Sequence, residues 1–200
     1  MLKEIIEEVK YGFMQGLAPV LNLNGTSGTY MLRNTNKDTV ALFKPIDEEA
    51  FAPNNQKGYT GKFGQETFRK GILSGEGSIR EVAAYLLDKN NYFHVPETTF
   101  VEICHPTFNK NINELLTIDD ESLPKMRNSI IHNFVLENLV NNINIYASPN
   151  HTSANSVISF DSNISLTPTM YVRKKYGSLQ RFIKSDDVAA NFSCSLFDSK

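Results

Sequence analysis

Leu2, Ile5, Ile6 and Val9 recur at helical spacing, which predicts a short amphipathic helix over residues 2–14. Pro19 excludes a helix through that point, and the pattern then changes period. Val20, Leu21 and Leu23 predict a short strand, residues 24–28 a polar turn, and residues 29–33 a second strand. The all-polar run 34–38 reads as a hairpin loop. Residues 39–44 (Thr-Val-Ala-Leu-Phe-Lys) read as a third strand, ended by Pro45. Residues 47–75 are rich in Gly, Pro and Asn and predict a long loop. The clearest helix follows, because Ile79, Val82, Ala83, Leu86 and Leu87 fall at i, i+3, i+4, i+7 and i+8. Further strands are expected over 98–103 and 170–174.

Between those last two strands, residues 107–167 read as an insertion. Ile130, Ile131, Phe134, Val135 and Leu139 predict a helix over 126–140. Around it lie Asn141, Asn142, Asn144 and the Ser-rich run 148–165. Such polar tracts bury too little apolar surface to offset their ordering entropy, so the insertion is expected to be largely disordered outside its helix.

The chain has 200 residues, 40% of them hydrophobic, and a formal net charge of -2. These values fit a globular domain with a core of ordinary size. They carry no electrostatic footprint for nucleic acid, and no nucleic-acid partner is expected. The one basic cluster, Arg173, Lys174 and Lys175, is read as a solvated strand end. Two cysteines far apart, Cys104 and Cys194, suit a reducing compartment better than a disulfide framework. The opening residues carry Lys3, Glu4, Glu7 and Glu8, unlike a signal peptide, and no apolar run approaches a membrane span. His94, His105, His132 and His151 share no metal-ligand spacing.

Three features stand in one order: a turn containing Gly25 and Gly28 between two strands, Lys44 near the end of the next strand, and a helix bearing glutamates. A nucleotide site needs these parts. Small residues let backbone amides approach phosphates, a lysine supplies a point charge, and a helix carboxylate holds that lysine. Each part alone has a plainer reading, as a hairpin turn or as a charge at a strand end. The order and spacing favour the nucleotide site.

The residues also carry a family resemblance. Gly25-Thr26-Ser27-Gly28-Thr29-Tyr30, the run Ala41-Leu42-Phe43-Lys44-Pro45-Ile46-Asp47-Glu48-Glu49, and Ala52-Pro53-Asn54-Asn55 with Lys57-Gly58 resemble the phosphatidylinositol 3- and 4-kinase superfamily. Gly75-Glu76-Gly77-Ser78-Ile79-Arg80-Glu81-Val82-Ala83-Ala84-Tyr85-Leu86-Leu87-Asp88, Val95-Pro96-Glu97-Thr98 and Gly177-Ser178-Leu179-Gln180-Arg181-Phe182-Ile183 are most similar to type II phosphatidylinositol 4-kinases of the ubiquitin-like-domain (gamma) group. The resemblance covers about 16–104 and 170–198 and leaves the insertion unmatched.

The fold it implies is an α+β, protein-kinase-like small lobe: a twisted antiparallel sheet with one packed helix, an Asn-rich insertion and the start of the large lobe. Residues 1–15 would be an N-terminal helix, 16–183 the lobe and hinge with the insertion at about 107–167, and 184–200 the start of an incomplete large lobe. The implied partners are ATP, Mg²⁺, and a phosphatidylinositol membrane or a protein substrate. Gly25, Thr26, Ser27 and Gly28 match the phosphate-binding loop, and Lys44 matches the ATP-phosphate lysine. Gln180, Arg181, Phe182 and Ile183 match the hinge whose backbone would meet the adenine edge. Glu81 matches the family's helix glutamate. A helical wheel, however, puts Glu76 beside the apolar stripe and Glu81 opposite it, so a solvent-facing Glu81 stays open. The family's Asp-Arg-His or Asp-Arg-Gly loop and metal-binding Asp do not occur in these 200 residues, so catalytic residues and Mg²⁺ ligands are expected beyond residue 200. The resemblance implies a cytoplasmic protein that acts peripherally at membranes. The alternatives are a protein serine/threonine kinase and a non-catalytic nucleotide-binding or scaffold module.

Overall fold

A computed structural model describes residues 2–108, 143–146 and 174–185. Helix α1 (Leu2–Met14) buries Ile5, Ile6, Val9 and Phe13. It ends where Gly16 takes φ +81 and the Leu17 amide reaches back to the Gly12 carbonyl at 3.0 Å. That closure uses up carbonyls the last turn leaves without partners. Strands β1 (Val20–Leu21), β2 (Tyr30–Arg33) and β3 (Thr39–Pro45) follow. The β2–β3 hairpin is built by Asn34, whose side-chain oxygen accepts from the Asn36 and Asp38 amides at 3.0 Å. This is the local bonding that favours Asn in turns.

Helix α2 (Gly77–Leu87), β4 (Thr98–Cys104), β5 (Ile143–Tyr146) and β6 (Lys174–Arg181) complete the described fold. The six strands form one sheet in the order β1-β2-β3-β6-β4-β5. Neighbours are antiparallel except β4 and β5, which run parallel. β6 therefore lies at the centre although it comes last in sequence, pairing Lys44 with Ser178 on one side and Phe100 with Ser178 on the other.

Alternation along the strands sends neighbouring side chains to opposite faces. Phe43, Val101 and Leu179 join Ile5, Ile6, Val9 and Phe13 of α1 in the main core, with Tyr30, Leu32, Ala41, Ile103 and Phe108. Fully burying one such side chain contributes about 1.5–3 kcal/mol. The other face carries a smaller cluster, Ile79, Val82 and Ala83 of α2 with Leu86 and Phe100.

The α+β lobe is present, and it differs from the sequence reading at four points. Among the described residues two helices pack on the sheet rather than one, because α1 covers the face opposite α2. The last strand starts at Lys174, where the expected strand of 170–174 ended, and runs on to Arg181. Gly177 and Ser178 carry no apolar signal, and pairing on both sides holds them in the sheet instead. A strand, β5, interrupts the insertion at its Asn-rich stretch and includes Asn144. Its parallel pairing to β4 satisfies backbone groups that composition leaves out of account. Lys175 is 3% exposed rather than solvated. The expected helix over 126–140 and the polar run 148–165 lie outside the described residues.

Candidate functional site

Lys44 is the sixth residue of β3 and points away from the main core, since Phe43 before it and Pro45 after it are buried on the other face. Its Nζ lies 2.5 Å from Glu81 Oε1 of α2. The other carboxylate oxygen, Glu81 Oε2, accepts a hydrogen bond from the Ser178 hydroxyl of β6 at 2.8 Å. Three elements thus converge on one charge pair. Both partners stay about 30% exposed, 28% for Lys44 and 30% for Glu81, so the pair borders solvent rather than lying sealed in the core.

The pairing decides between the two glutamates. Glu76 bonds with Arg80 at 2.8 Å on its own helix, and Glu81 takes Lys44. The wheel pointed the other way because it counted Ser78 as a surface residue. Ser78 is 1% exposed, so the buried arc of α2 runs over Ser78, Ile79, Val82 and Ala83, and Glu81 sits at its border one turn after Ser78.

The turn holding Gly25, Thr26, Ser27 and Gly28 is fastened from below by residues 46–57. The Gly28 amide donates to the Glu48 carbonyl at 2.8 Å, and the Ser27 hydroxyl accepts from the Ala50 amide at 3.2 Å. The Asn55 side-chain amide donates to the Thr26 carbonyl at 2.8 Å and also reaches the Glu48 and Glu49 carbonyls. Lys57 Nζ donates to the Asn22 carbonyl at 2.6 Å. The two glycines have different reasons. Gly25 takes φ +79 with open space around it, and a Cβ on Gly28 would collide with the Glu48 side chain. The Gly28 amide is thus already taken by the Glu48 carbonyl.

Under the turn, Glu48 is fully buried. It accepts hydrogen bonds from the Tyr30 hydroxyl at 2.9 Å and from Gln56 at 2.9 Å, and pairs with Lys175 at 2.7 Å. Lys175 also meets Asp47 at 2.5 Å. Burial pushes the Glu48 carboxyl above its ordinary value, and the attraction of Lys175 offsets that only in part.

Of the expected hinge residues, Gln180 and Arg181 are the last two of β6. The Arg181 amide donates to the Glu97 carbonyl at 2.8 Å, and its guanidinium pairs with the Glu97 carboxylate at 2.7 Å. The Phe182 amide donates to the Val40 carbonyl at 2.9 Å. Gln180 donates through its side chain to the Thr98 hydroxyl at 3.1 Å. Ile183 follows and is exposed. The sheet engages Gln180, Arg181 and the Phe182 amide, and Ile183 lies just past the end of β6.

Sequence reasoning missed four residues that build this site: Ser178, Asn55, Glu48 and Lys175. Glu48, Asn55 and Ser178 each stood inside a motif of the resemblance but without a role, and Lys175 was read as a solvated strand end. Among the described residues, no group of His, Cys, Asp or Glu is arranged to hold a metal ion. No helix among them is long and apolar enough to cross a membrane.

The family model for phosphatidylinositol 3- and 4-kinase matches residues 25–195. Phosphatidylinositol 4-kinase gamma 5 of Arabidopsis thaliana is 45% identical over 112 residues, which is 56% of this chain and 17% of that relative. Phosphatidylinositol 4-kinase gamma 7 of the same plant is 41% identical over 112 residues, again 56% of this chain and 17% of the relative. Phosphatidylinositol 4-kinase gamma 4 of Oryza sativa subsp. japonica is 40% identical over 90 residues, 44% of this chain and 16% of the relative. The chain thus spans less than a fifth of the length of these three relatives. No solved structure matches it.

Proposed function

Because the chain belongs to the phosphatidylinositol 3- and 4-kinase family, we propose that it forms the ATP-binding small lobe of an enzyme that phosphorylates phosphatidylinositol. The reaction is transfer of the ATP γ-phosphate to the inositol 4-hydroxyl, carried out by a cytoplasmic protein at the membrane surface. The observation that carries this reading is Lys44 held by Glu81, with Ser178 on the second carboxylate oxygen.

In this reading the Lys44 ammonium aligns the ATP phosphates, and Glu81 keeps the flexible lysine stem in one rotamer. Phosphoryl transfer asks the protein mainly for positioning and charge, so a fixed ammonium is a direct contribution. The amides of Gly25, Thr26 and Ser27 approach the phosphates from the turn, with Gly28 shaping it. Ile183 and the carbonyl of Phe182 meet the adenine edge. Mg²⁺, when bound, neutralises charge on the phosphate oxygens. The described residues supply binding and orientation.

The test is nucleotide protection of Lys44. ATP should slow acylation of Lys44 in the purified chain and leave Lys10, on the outer side of α1, unchanged. Equal rates with and without ATP would remove the nucleotide reading. In a longer chain that also supplies the catalytic and metal loops, Lys44→Ala should lower turnover roughly a hundredfold or more. Lys37→Ala, in the hairpin, serves as the neutral control. Retention of more than about a tenth of the activity would show that Lys44 aligns nothing. Phosphatidylinositol vesicles and a generic protein substrate, assayed side by side, separate a lipid kinase from a protein kinase.

A further inference from the structure

Glu48 and Glu49 are adjacent, both buried, and bonded to different parts of the lobe. Glu48 lies under the turn of residues 24–28. Glu49, 8% exposed, reaches the start of α2. Its Oε2 accepts from the Gly75 amide at 2.8 Å and the Gly77 amide at 2.9 Å, and its Oε1 accepts from the Ser78 amide at 2.8 Å. The Ser78 hydroxyl lies 2.9 Å from Glu49 Oε1 and 2.9 Å from the Lys44 carbonyl, and donates to one of the two.

The first amides of a helix lack internal partners and are usually met by a side chain just before the helix. Here Glu76, at that place, makes no such bond. A carboxylate 29 residues away replaces it. The choice has a cost, because burial pushes the Glu49 carboxyl above its ordinary value despite its amide bonds. A local cap would tie α2 only to its own loop. Glu49 ties it to the chain five residues after Lys44, and Ser78 touches the Lys44 carbonyl itself. One turn beyond Ser78 stands Glu81.

We infer that Glu49 is a positioning residue for the nucleotide site: it sets the height of α2 against β3 and so keeps Glu81 in register with Lys44. Glu48, its neighbour, fastens the phosphate turn to the same stretch of backbone. One dipeptide therefore contacts both the turn and the start of the helix that carries Glu81. This rests on the nucleotide reading above for what the site does, while the geometry it concerns exists without nucleotide.

The experiment measures lysine acylation rates by mass spectrometry in the whole chain, with acetic anhydride as reagent. Wild type, Glu81→Gln, Glu49→Gln and Ser78→Ala are compared. Glu81→Gln frees Lys44 and sets the full increase in its rate. Glu49→Gln should give at least half of that increase, with the buried Lys175 and the surface Lys10 at wild-type rates. A Lys44 rate unchanged in Glu49→Gln would overturn the inference. So would a Lys175 rate that climbs together with that of Lys44, since the lobe would then have loosened as a whole. Should Glu49→Gln fail to fold, Ser78→Ala carries the same test. It should raise the Lys44 rate by a smaller amount, and no rise would overturn the inference. ATP as a second probe separates the two readings. The concentration that half-protects Lys44 should rise roughly tenfold in Glu49→Gln, the scale of one lost charge-assisted bond, and an unchanged concentration would overturn the positioning role. Absence of protection in wild type instead removes the nucleotide reading, and the nucleotide-free rates still judge Glu49.

Discussion

On one face of the central sheet, Leu32, Phe43, Val101, Ile103 and Leu179 pack under α1, sealed from solvent and joined by Phe108. On the other, the same strands present Lys44, Ser178 and Phe100 to α2, whose apolar contribution is only Ile79, Val82 and Ala83 with Leu86 beside them. The first helix is held by burial. The second has a small apolar footing and is held largely by directional polar contacts, from Glu49 at its start and from Lys44 and Ser178 at Glu81. Burial is non-directional and tolerates small shifts, whereas a charge-assisted hydrogen bond is satisfied only over a narrow range of geometry. Contacts of the second kind fix the position of the Lys44 ammonium more narrowly than burial could. Elements with few buried apolar contacts are also where local opening is least costly.

The comparison breaks most severely at Phe43. Phe43→Ala should remove about 3–5 kcal/mol of stability, because the side chain is fully buried and leaves a cavity. Urea unfolding would measure it, and a loss as small as that of an exposed residue would mean that the α1 face is not the main core. Lys44→Ala, one residue away on the other face, should cost no more than about 1 kcal/mol, because the ion pair it removes borders solvent.

The turn of residues 25–28 sharpens the contrast at smaller scale, since its two glycines have different neighbours. Gly28→Ala should cost about 1–3 kcal/mol, because the new methyl meets the buried Glu48 side chain. Gly25→Ala has free space and should cost about 1 kcal/mol from its positive φ alone. Equal losses in thermal unfolding would contradict the assigned packing of Gly28.

The last contrast is a pH dependence on the α1 face. His105 is buried against Phe13 and Phe108, and burial pushes its imidazole down to about 4. Its folded value lies below its unfolded value, so the unfolded chain takes up a proton first. Stability from this residue is lost as pH falls from about 6.5 towards 4. Glu48 and Glu49 act in the opposite sense. Their raised values mean that the cost of burying the two charges is relieved as pH falls towards their ordinary range. Comparing His105→Leu with wild type isolates the histidine. Between pH 7 and 5.5 the variant should lose less in melting temperature, and parallel curves would show that His105 titrates normally.

Legibility in the sequence followed the same division. The bounds of α1, β2 and β3 and the apolar stripe of α2 were close to readable because each rests on a period set by backbone geometry over a few residues. The start of β6 was not, because Lys174, Lys175, Gly177 and Ser178 carry no apolar alternation and are held by neighbours on both sides. Lys44 was legible as a candidate from its place at the end of an apolar strand. The choice of Glu81 over Glu76 was not legible from periodicity, because it turns on a buried serine that the helical wheel treats as polar.

The sequence by itself determined α1, β2, β3 and α2, their order, the place of Lys44 at the end of β3 and the resemblance to the kinase family. Those follow from local backbone preference and from contiguous motifs. Only the tertiary structure decided who meets whom: Lys44 with Glu81 across 37 residues, Glu49 with the start of α2 across 26 to 29, and Lys175 with Asp47 across 128. These partners are joined because the sheet places β6 between β3 and β4. A buried charge finds its counter-charge wherever the strand order brings one within reach, at a separation that no local period encodes.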